Sequence, residues 1–136
     1  MSLTPQTSRF LDVLGRVFVA ALFVRALPGK FADFAGNAGS IVARGIPEPL
    51  ASILLVAAIL VLIAGVILLV FGSSTIVGAS LLLVFLVPTT LIFHTVPVDG
   101  SFFINLALIG ALILAITRST ANAAPNFRGL RNRRRD

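Results

Sequence analysis

The sequence predicts an all-α integral membrane protein, a bundle of four transmembrane helices with both termini in the cytoplasm. Hydrophobic residues make up 57% of the 136 residues and charged residues only 12%, which is half of the roughly 25% that is usual in soluble domains. Long uncharged stretches alternate with short segments rich in glycine, proline and polar residues, and basic residues concentrate near the chain ends. Much of the surface must therefore face lipid.

The first predicted helix covers about residues 10–34 and is the least hydrophobic of the four, because Asp12, Arg16 and Arg25 interrupt it. Charges inside the apolar run and the lack of a convincing cleavage site argue against a removable signal peptide. We therefore interpret the segment as a retained helix. Small and polar residues from 35 to 48 then predict a connecting loop.

The second predicted helix covers residues 49–71 and begins at helix-start signals, Glu48 and Pro49. It contains no charged residue, and at about 1.5 Å per residue it is long enough for a hydrocarbon core of roughly 30 Å. A short turn leads to the third helix, at 75–94. Pro88 predicts a kink there, with the Thr89 and Thr90 hydroxyls satisfying the carbonyl that the proline leaves free.

The fourth predicted helix covers residues 102–117 and closes a transmembrane domain at 1–118. Residues 119–136 form a basic tail, which we expect to be flexible and cytoplasmic. The tail arginines, Arg9 and Arg118 lie on one side of a four-span topology, so the positive-inside rule places both termini in the cytoplasm. The net charge of +6 thus indicates topology and lipid contact, and nucleic-acid binding is not expected.

Few residues carry chemistry. The chain has no cysteine, which excludes disulfides, thiolate metal sites and dithiol redox chemistry. A single histidine, His94, cannot build a multi-histidine metal site, although it leaves open one axial bond to haem or chlorophyll. The simpler interpretation is a helix-capping imidazole. Asp12 and Arg16 are four residues apart, so they are expected to pair on one helix face.

Charged and polar groups in transmembrane helices are costly and mark candidate sites. We predict no catalytic residue and no metal site. Five residues are candidate contacts for a lipid headgroup, a quinone or a pigment: Arg16, Arg25, Lys30, His94 and Asn105. Lys30, His94 and Asn105 are each at the outer end of a predicted helix, so we expect them to meet there.

The order and spacing of several short motifs resemble the DoxX family of small membrane proteins, from about Arg16 to Thr117. The motifs are Arg16 with Gly29-Lys30, Gly45-Ile46-Pro47, Gly65 and Gly72, Leu91-Ile92-Phe93-His94, and Asn105-Leu106-Ala107 with Gly110. The segment from Phe85 to Thr95, with Arg25, looks most like cyanobacterial members. The resemblance implies a four-helix membrane protein linked to redox complexes, such as a thiosulfate to quinone oxidoreductase subunit.

Two positions depart from the family pattern. Leu62 stands where members commonly carry a glutamate, and Ile104 where many carry a lysine. This double loss disfavours catalysis or proton handling by the chain.

The leading hypothesis is a non-catalytic accessory subunit of a larger respiratory or photosynthetic membrane complex, in a bacterial inner (plasma) membrane or a thylakoid membrane. The alternatives are a quinone-linked oxidoreductase subunit and, less favoured, a small carrier or channel. No intrinsic cofactor is predicted, and lipid, quinone or chlorophyll at the periphery are the candidates. Membrane lipids and the larger complex are the expected partners, and homo-oligomerisation stays open.

Overall fold

The structure is a computed structural model that describes residues 4–72 and 74–123. These residues form five helices: α1 (Pro5–Ala32), α2 (Phe34–Val42), α3 (Leu50–Val70), α4 (Thr75–Phe93) and α5 (Gly100–Ala123). Within the described part, α3, α4 and α5 are long and apolar enough to cross a membrane. Helix α1 carries five charged residues and is not among these three.

Helix α1 is longer than predicted at its start and continues through Pro28 to Ala32. The predicted loop at 35–48 is wrong in its first half, because α2 occupies Phe34–Val42. Asp33 separates the two helices: its backbone N–H ends α1 on the Gly29 carbonyl, and its carboxylate accepts from the Gly36 N–H at 3.0 Å. A side-chain cap of this kind allows a new helix to start after only one residue.

Helices α3 and α4 form a tight antiparallel pair, and glycines allow the close approach. A Cβ atom built on Gly78 would lie 2.5 Å from the Leu69 nitrogen and 2.9 Å from the Gly65 carbonyl oxygen. One built on Gly65 would lie 2.7 Å from a Leu82 methyl carbon. Gly65 therefore serves contact between α3 and α4 within the chain.

The kink chemistry of α4 also differs in detail from the prediction. The Thr89 hydroxyl donates to the Phe85 carbonyl and the Thr90 hydroxyl to the Leu86 carbonyl, each at 2.7 Å. These are the carbonyls one turn before each threonine. The carbonyl that loses its donor to Pro88 belongs to Val84, so neither hydroxyl compensates for the proline directly.

The main core joins four of the helices, α1, α3, α4 and α5. Its buried members are Ala20, Phe23, Leu62, Leu69, Ala79, Leu82, Leu86, Leu108 and Leu112. A smaller cluster of Ala38, Leu55 and Ile59 attaches α2 to α3. Leu62, at the position where the resemblance implies a glutamate, is fully buried in the main core. An uncompensated carboxylate there would be expensive, so the leucine suits an apolar interior.

The bundle has two distinct ends. The turn end contains the α3–α4 turn, the start of α1 and the last turns of α5. The loop end contains the α4–α5 loop at 94–99, helix α2 and the end of α1. Helix α5 includes residues 119–123, the first five residues of the predicted tail, and residues 124–136 lie outside the described part. Helix α5 packs mainly on α4 and only slightly on α1.

Candidate functional site

A cavity of about 270 Å³ lies at the loop end, between α1, α2, α3 and α4. We call it the loop-end cavity. Its polar lining residues are Lys30, Asn37, Ser40, Thr89 and His94, and its apolar ones are Ile41, Leu55, Ala58, Phe85 and Phe93. One wall can therefore hydrogen-bond a ligand while the other contacts a ring or an alkyl chain, as in many small-molecule sites.

His94, which lines this cavity, and Asp99 join the end of α4 to the start of α5. His94 ends α4, where its backbone N–H donates to the Thr90 carbonyl. Its ring Nδ1 lies 2.8 Å from Asp99 Oδ2. Asp99 Oδ1 accepts from the Phe102 N–H at 3.1 Å, so the carboxylate also caps the start of α5. The hydrogen bond from His94 is the main reason that the pKa of Asp99 lies below its ordinary value of 3.8.

Lys30 and Asn37 are two of the polar residues that line the loop-end cavity. The ammonium nitrogen of Lys30 lies 5.7 Å from the centre of the Phe85 ring, within cation–π range. The Asn37 amide nitrogen donates to the Gly29 carbonyl at 3.2 Å and the Asp33 carbonyl at 2.6 Å. This amide thus holds the end of α1 against α2 and keeps Lys30 beside the cavity.

An apolar groove of about 310 Å³ adjoins the loop-end cavity and shares five of its lining residues, Ile41, Ala58, Phe85, Thr89 and Phe93. It follows the α3–α4 side of the bundle past Pro88. At its mouth the Arg44 guanidinium donates to the Ile92 carbonyl and lies 5.0 Å from the centre of the Phe93 ring. The cavity and groove together have the shape and polarity for an amphiphile.

A second polar group, which we call the turn-end cluster, consists of Asp12, Arg16 and Arg118. The predicted Asp12–Arg16 pair is confirmed, with Arg16 Nη2 at 2.7 Å from Asp12 Oδ2. Arg16 Nη1 also donates to Thr75 Oγ1 at 3.0 Å and to the Leu69 carbonyl at 3.4 Å. Arg16 thereby joins α1 to the end of α3, where carbonyls lack helical donors, and to the start of α4.

Arg118 brings α5 into the same cluster. Its Nε lies 3.8 Å from Asp12 Oδ1, and its Nη2 donates to Ser8 Oγ at 3.0 Å. Beside the three charged residues a cavity of about 220 Å³ separates α1 from α5. We call it the turn-end cavity.

The five candidate residues of the sequence analysis do not form one site. Lys30 and His94 line the loop-end cavity together, whereas Arg16 lies at the opposite end of the bundle. Arg25 is exposed on α1 and lines none of the three cavities described above. Asn105 is half-buried on α5 and is not among the residues that line the loop-end cavity. Asn37 of α2 supplies the amide instead.

Sequence reasoning missed Asn37, Ser40, Arg44 and the role of Arg118. The first three escaped because residues 35–48 were interpreted as a loop, whose side chains have no predictable direction. Asn37 is four residues after Asp33, which is a helical spacing, and this was the available signal. Arg118 was assigned to topology alone, and no sequence signal connects it with Asp12, 106 residues earlier by their numbers.

One known protein family matches the chain. The model of the DoxX family matches residues 11–95, more than half of the chain. The chain belongs to the DoxX family. The match includes α2 to α4 and most of α1, and it ends in the loop before α5, so Asn105 lies beyond it. No curated protein and no solved structure matches the chain significantly.

Family membership and the three long apolar helices establish an integral membrane protein. Within residues 4–72 and 74–123, no three histidine, aspartate or glutamate side chains converge in a way that could hold a metal ion.

Proposed function

We propose that this protein is a small accessory subunit that packs laterally against a larger energy-transducing complex, respiratory or photosynthetic, in a bacterial inner or thylakoid membrane. The observation that carries the proposal is the outer face of α5. Only 11% of the residues in its most apolar stretch are buried, against 28% in α3 and in α4. Ala107 and Gly110 are exposed in the middle of this face, and a Cβ atom on Gly110 would meet nothing within 4 Å.

Small residues on a lipid-facing helix allow a second helix to approach closely, which strengthens packing where lipid provides no hydrophobic drive. On α5 these residues are surrounded by large exposed side chains that can interdigitate with a partner: Phe103, Ile104, Leu106, Ile113 and Leu114. This combination supports a helix-packing face.

The polar groups support a role without turnover. General acid–base catalysis needs a titratable group within reach of a substrate. His94 Nδ1 is bonded to Asp99, and Asp12 is bonded to Arg16. Both carboxylates therefore serve contacts between or within helices.

We further propose four spans, with α1 as the fourth and both termini cytoplasmic. Arg16 contacts the turn end and Lys30 lines the loop-end cavity, so α1 runs along the whole bundle. The two residues are about 21 Å apart along a helix, and their long side chains can extend to the interfaces. Single cysteines at Gln6 and Val98 in this cysteine-free chain test the topology. An impermeant thiol reagent added from outside should label only Val98→Cys, and the reverse pattern would refute the assignment.

Lateral packing is tested with Gly110→Leu and the matched control Gly29→Leu, since a Cβ atom at either glycine would have no neighbour within 4 Å. In mild-detergent native gels of the source membranes, the wild type and Gly29→Leu should migrate with a complex much larger than the 14.3 kDa chain. Gly110→Leu should migrate alone. If all three variants migrate alone, the proposal fails, and a ladder of multiples of the chain mass would indicate a homo-oligomer instead.

A second candidate function, a quinone-linked oxidoreductase subunit, is favoured by the loop-end cavity and its adjoining groove. Lys30 and His94 can donate hydrogen bonds to a ring carbonyl, and the groove along α3 and α4 offers an apolar path for a tail. The test is quinone reduction by the purified protein. Reduction that is lost in His94→Ala and kept in Arg25→Gln would replace the accessory role with the redox one.

A further inference from the structure

The turn-end cluster carries more positive than negative charge. Two guanidinium groups, those of Arg16 and Arg118, share the single carboxylate of Asp12, which leaves a net charge of +1. The cluster lies at the level of the α3–α4 turn, because Arg16 contacts both Leu69 and Thr75. In a chain whose α3 and α4 cross the membrane, this level is the boundary between hydrocarbon and water.

Two donors of the cluster have no hydrogen bond among the described residues. Arg16 Nε is buried and has no partner, and a buried unpaired donor costs free energy. Arg118 Nε lies 3.8 Å from Asp12, beyond hydrogen-bonding distance. An anion at Arg118 would complement the excess charge, and a turn of the Arg16 guanidinium toward the cavity would give its Nε a partner.

The turn-end cavity continues from these donors as an apolar channel between α1 and α5. Leu69 and Leu112 form its buried floor, whereas Leu11 and Leu114 are exposed at its rim, by 45% and 69%. The rim therefore opens sideways toward lipid. A ligand that fits must have an anionic group at the interface and an alkyl chain beside it.

We propose that the turn-end cavity binds an anionic phospholipid, with one acyl chain between α1 and α5 and the phosphate against Arg16 and Arg118. Guanidinium groups suit this ligand because their planar donors match two phosphate oxygens at once. A zwitterionic lipid such as phosphatidylcholine has the same acyl chains, but its quaternary ammonium group neutralises the negative charge of its phosphate. Its headgroup therefore complements the cluster less well. The proposal does not depend on the accessory role, which concerns the outer face of α5.

The test compares two lipids of identical acyl chains, phosphatidylglycerol and phosphatidylcholine, by native mass spectrometry of the full chain in a neutral detergent. Phosphatidylglycerol should bind at least about tenfold more tightly, a difference of about 1.4 kcal/mol. Equal binding of the two lipids would overturn the proposal. A third arm uses inorganic phosphate, and phosphate that displaces the lipid at equal concentration would show a site for a free anion and refute the lipid assignment.

Variants then locate the site. Arg118→Gln should lower the preference for phosphatidylglycerol severalfold relative to the wild type, whereas Arg25→Gln, which removes an exposed charge of α1 outside the cavity, should keep it. The basic residues beyond 123 are common to all variants, so their attraction for anionic lipid cancels in the comparison. Arg16→Lys keeps the charge but removes Nε, and it should weaken binding as well. An unchanged preference in Arg118→Gln would overturn the proposal even if Arg16→Lys fails to fold.

Discussion

Two glycines of similar sequence context belong to opposite kinds of surface. Gly78 on α4 lies against the backbone of α3, whereas Gly110 on α5 faces outward with open space around it. Each follows a β-branched apolar residue and precedes an alanine, Val77 and Ala79 for Gly78, and Ile109 and Ala111 for Gly110. The comparison of the locked α3–α4 contact with the open α5 face teaches that hydropathy identifies a membrane helix but does not tell a packed face from a lipid-facing one.

The largest expected effect is that of Gly78→Ala, which adds one methyl group against backbone atoms of Leu68, Leu69 and Gly65. Backbone atoms cannot rotate away, so α3 and α4 must separate. We expect a loss of about 3 kcal/mol in the free energy of unfolding, at the upper end for overpacking. Reversible unfolding in mixed detergent micelles measures it. An unchanged stability would mean that α3 and α4 do not pack closely at Gly78.

Arg16→Gln should have the next largest effect, because it removes contacts to Asp12, Leu69 and Thr75 that hold α1 on the hairpin. Losing hydrogen bonds of a charged group that is only 18% exposed should cost about 2 kcal/mol. The control is Arg25→Gln, on the same helix but exposed, which should change stability little. If both variants lose the same amount of stability, the loss comes from removing a positive charge and not from breaking the contacts of Arg16.

Asp99 provides a pH-dependent probe of how α5 begins. Its pKa is lower in the folded protein than the ordinary 3.8, so its contribution to stability is present above that value and is lost as the pH falls through the folded pKa. Asp99→Asn keeps a capping oxygen but removes the charge. Wild type should therefore lose more stability than Asp99→Asn between about pH 5 and about pH 2. Equal losses would show that the charge of Asp99 does not stabilise the folded protein.

The smallest expected effect is that of Gly110→Ala on the isolated protein. With no neighbour within 4 Å the methyl group meets only detergent, and alanine is the better helix former by roughly 1 kcal/mol. Stability in the same unfolding assay should stay equal or rise slightly. A loss comparable to that of Gly78→Ala would mean that this face of α5 packs against another part of the chain. The contrast between Gly78 and Gly110 would then be refuted.

Helices α3 and α4 were predictable nearly to the residue, since 49–71 and 75–94 became Leu50–Val70 and Thr75–Phe93, whereas α5 extends beyond the predicted 102–117 at both ends. In those segments the apolar side chains favour lipid, and a backbone in lipid must satisfy its own hydrogen bonds, so both effects favour a helix. The prediction failed at residues 34–42, because small and polar residues are compatible with a loop until Asp33 caps a new helix and Ala38 is buried against α3. For the candidate site, Lys30 and His94 were named from the sequence and both line the loop-end cavity, while their role as ligand contacts stays a prediction.

The sequence by itself determined that this is an all-helical membrane protein of the DoxX family, because apolar length and motif order are local properties. Only the tertiary structure decided which polar groups meet. It placed Arg16 and Lys30 at opposite ends of the bundle, put Asn37 and His94 in the lining of one cavity, and joined Asp12 to Arg118 across the chain. The physical reason is that a helical sequence does not specify which other helix each side chain will contact. Those contacts depend on how the helices pack, and the close approach of α3 and α4 at Gly65 and Gly78 is part of that packing.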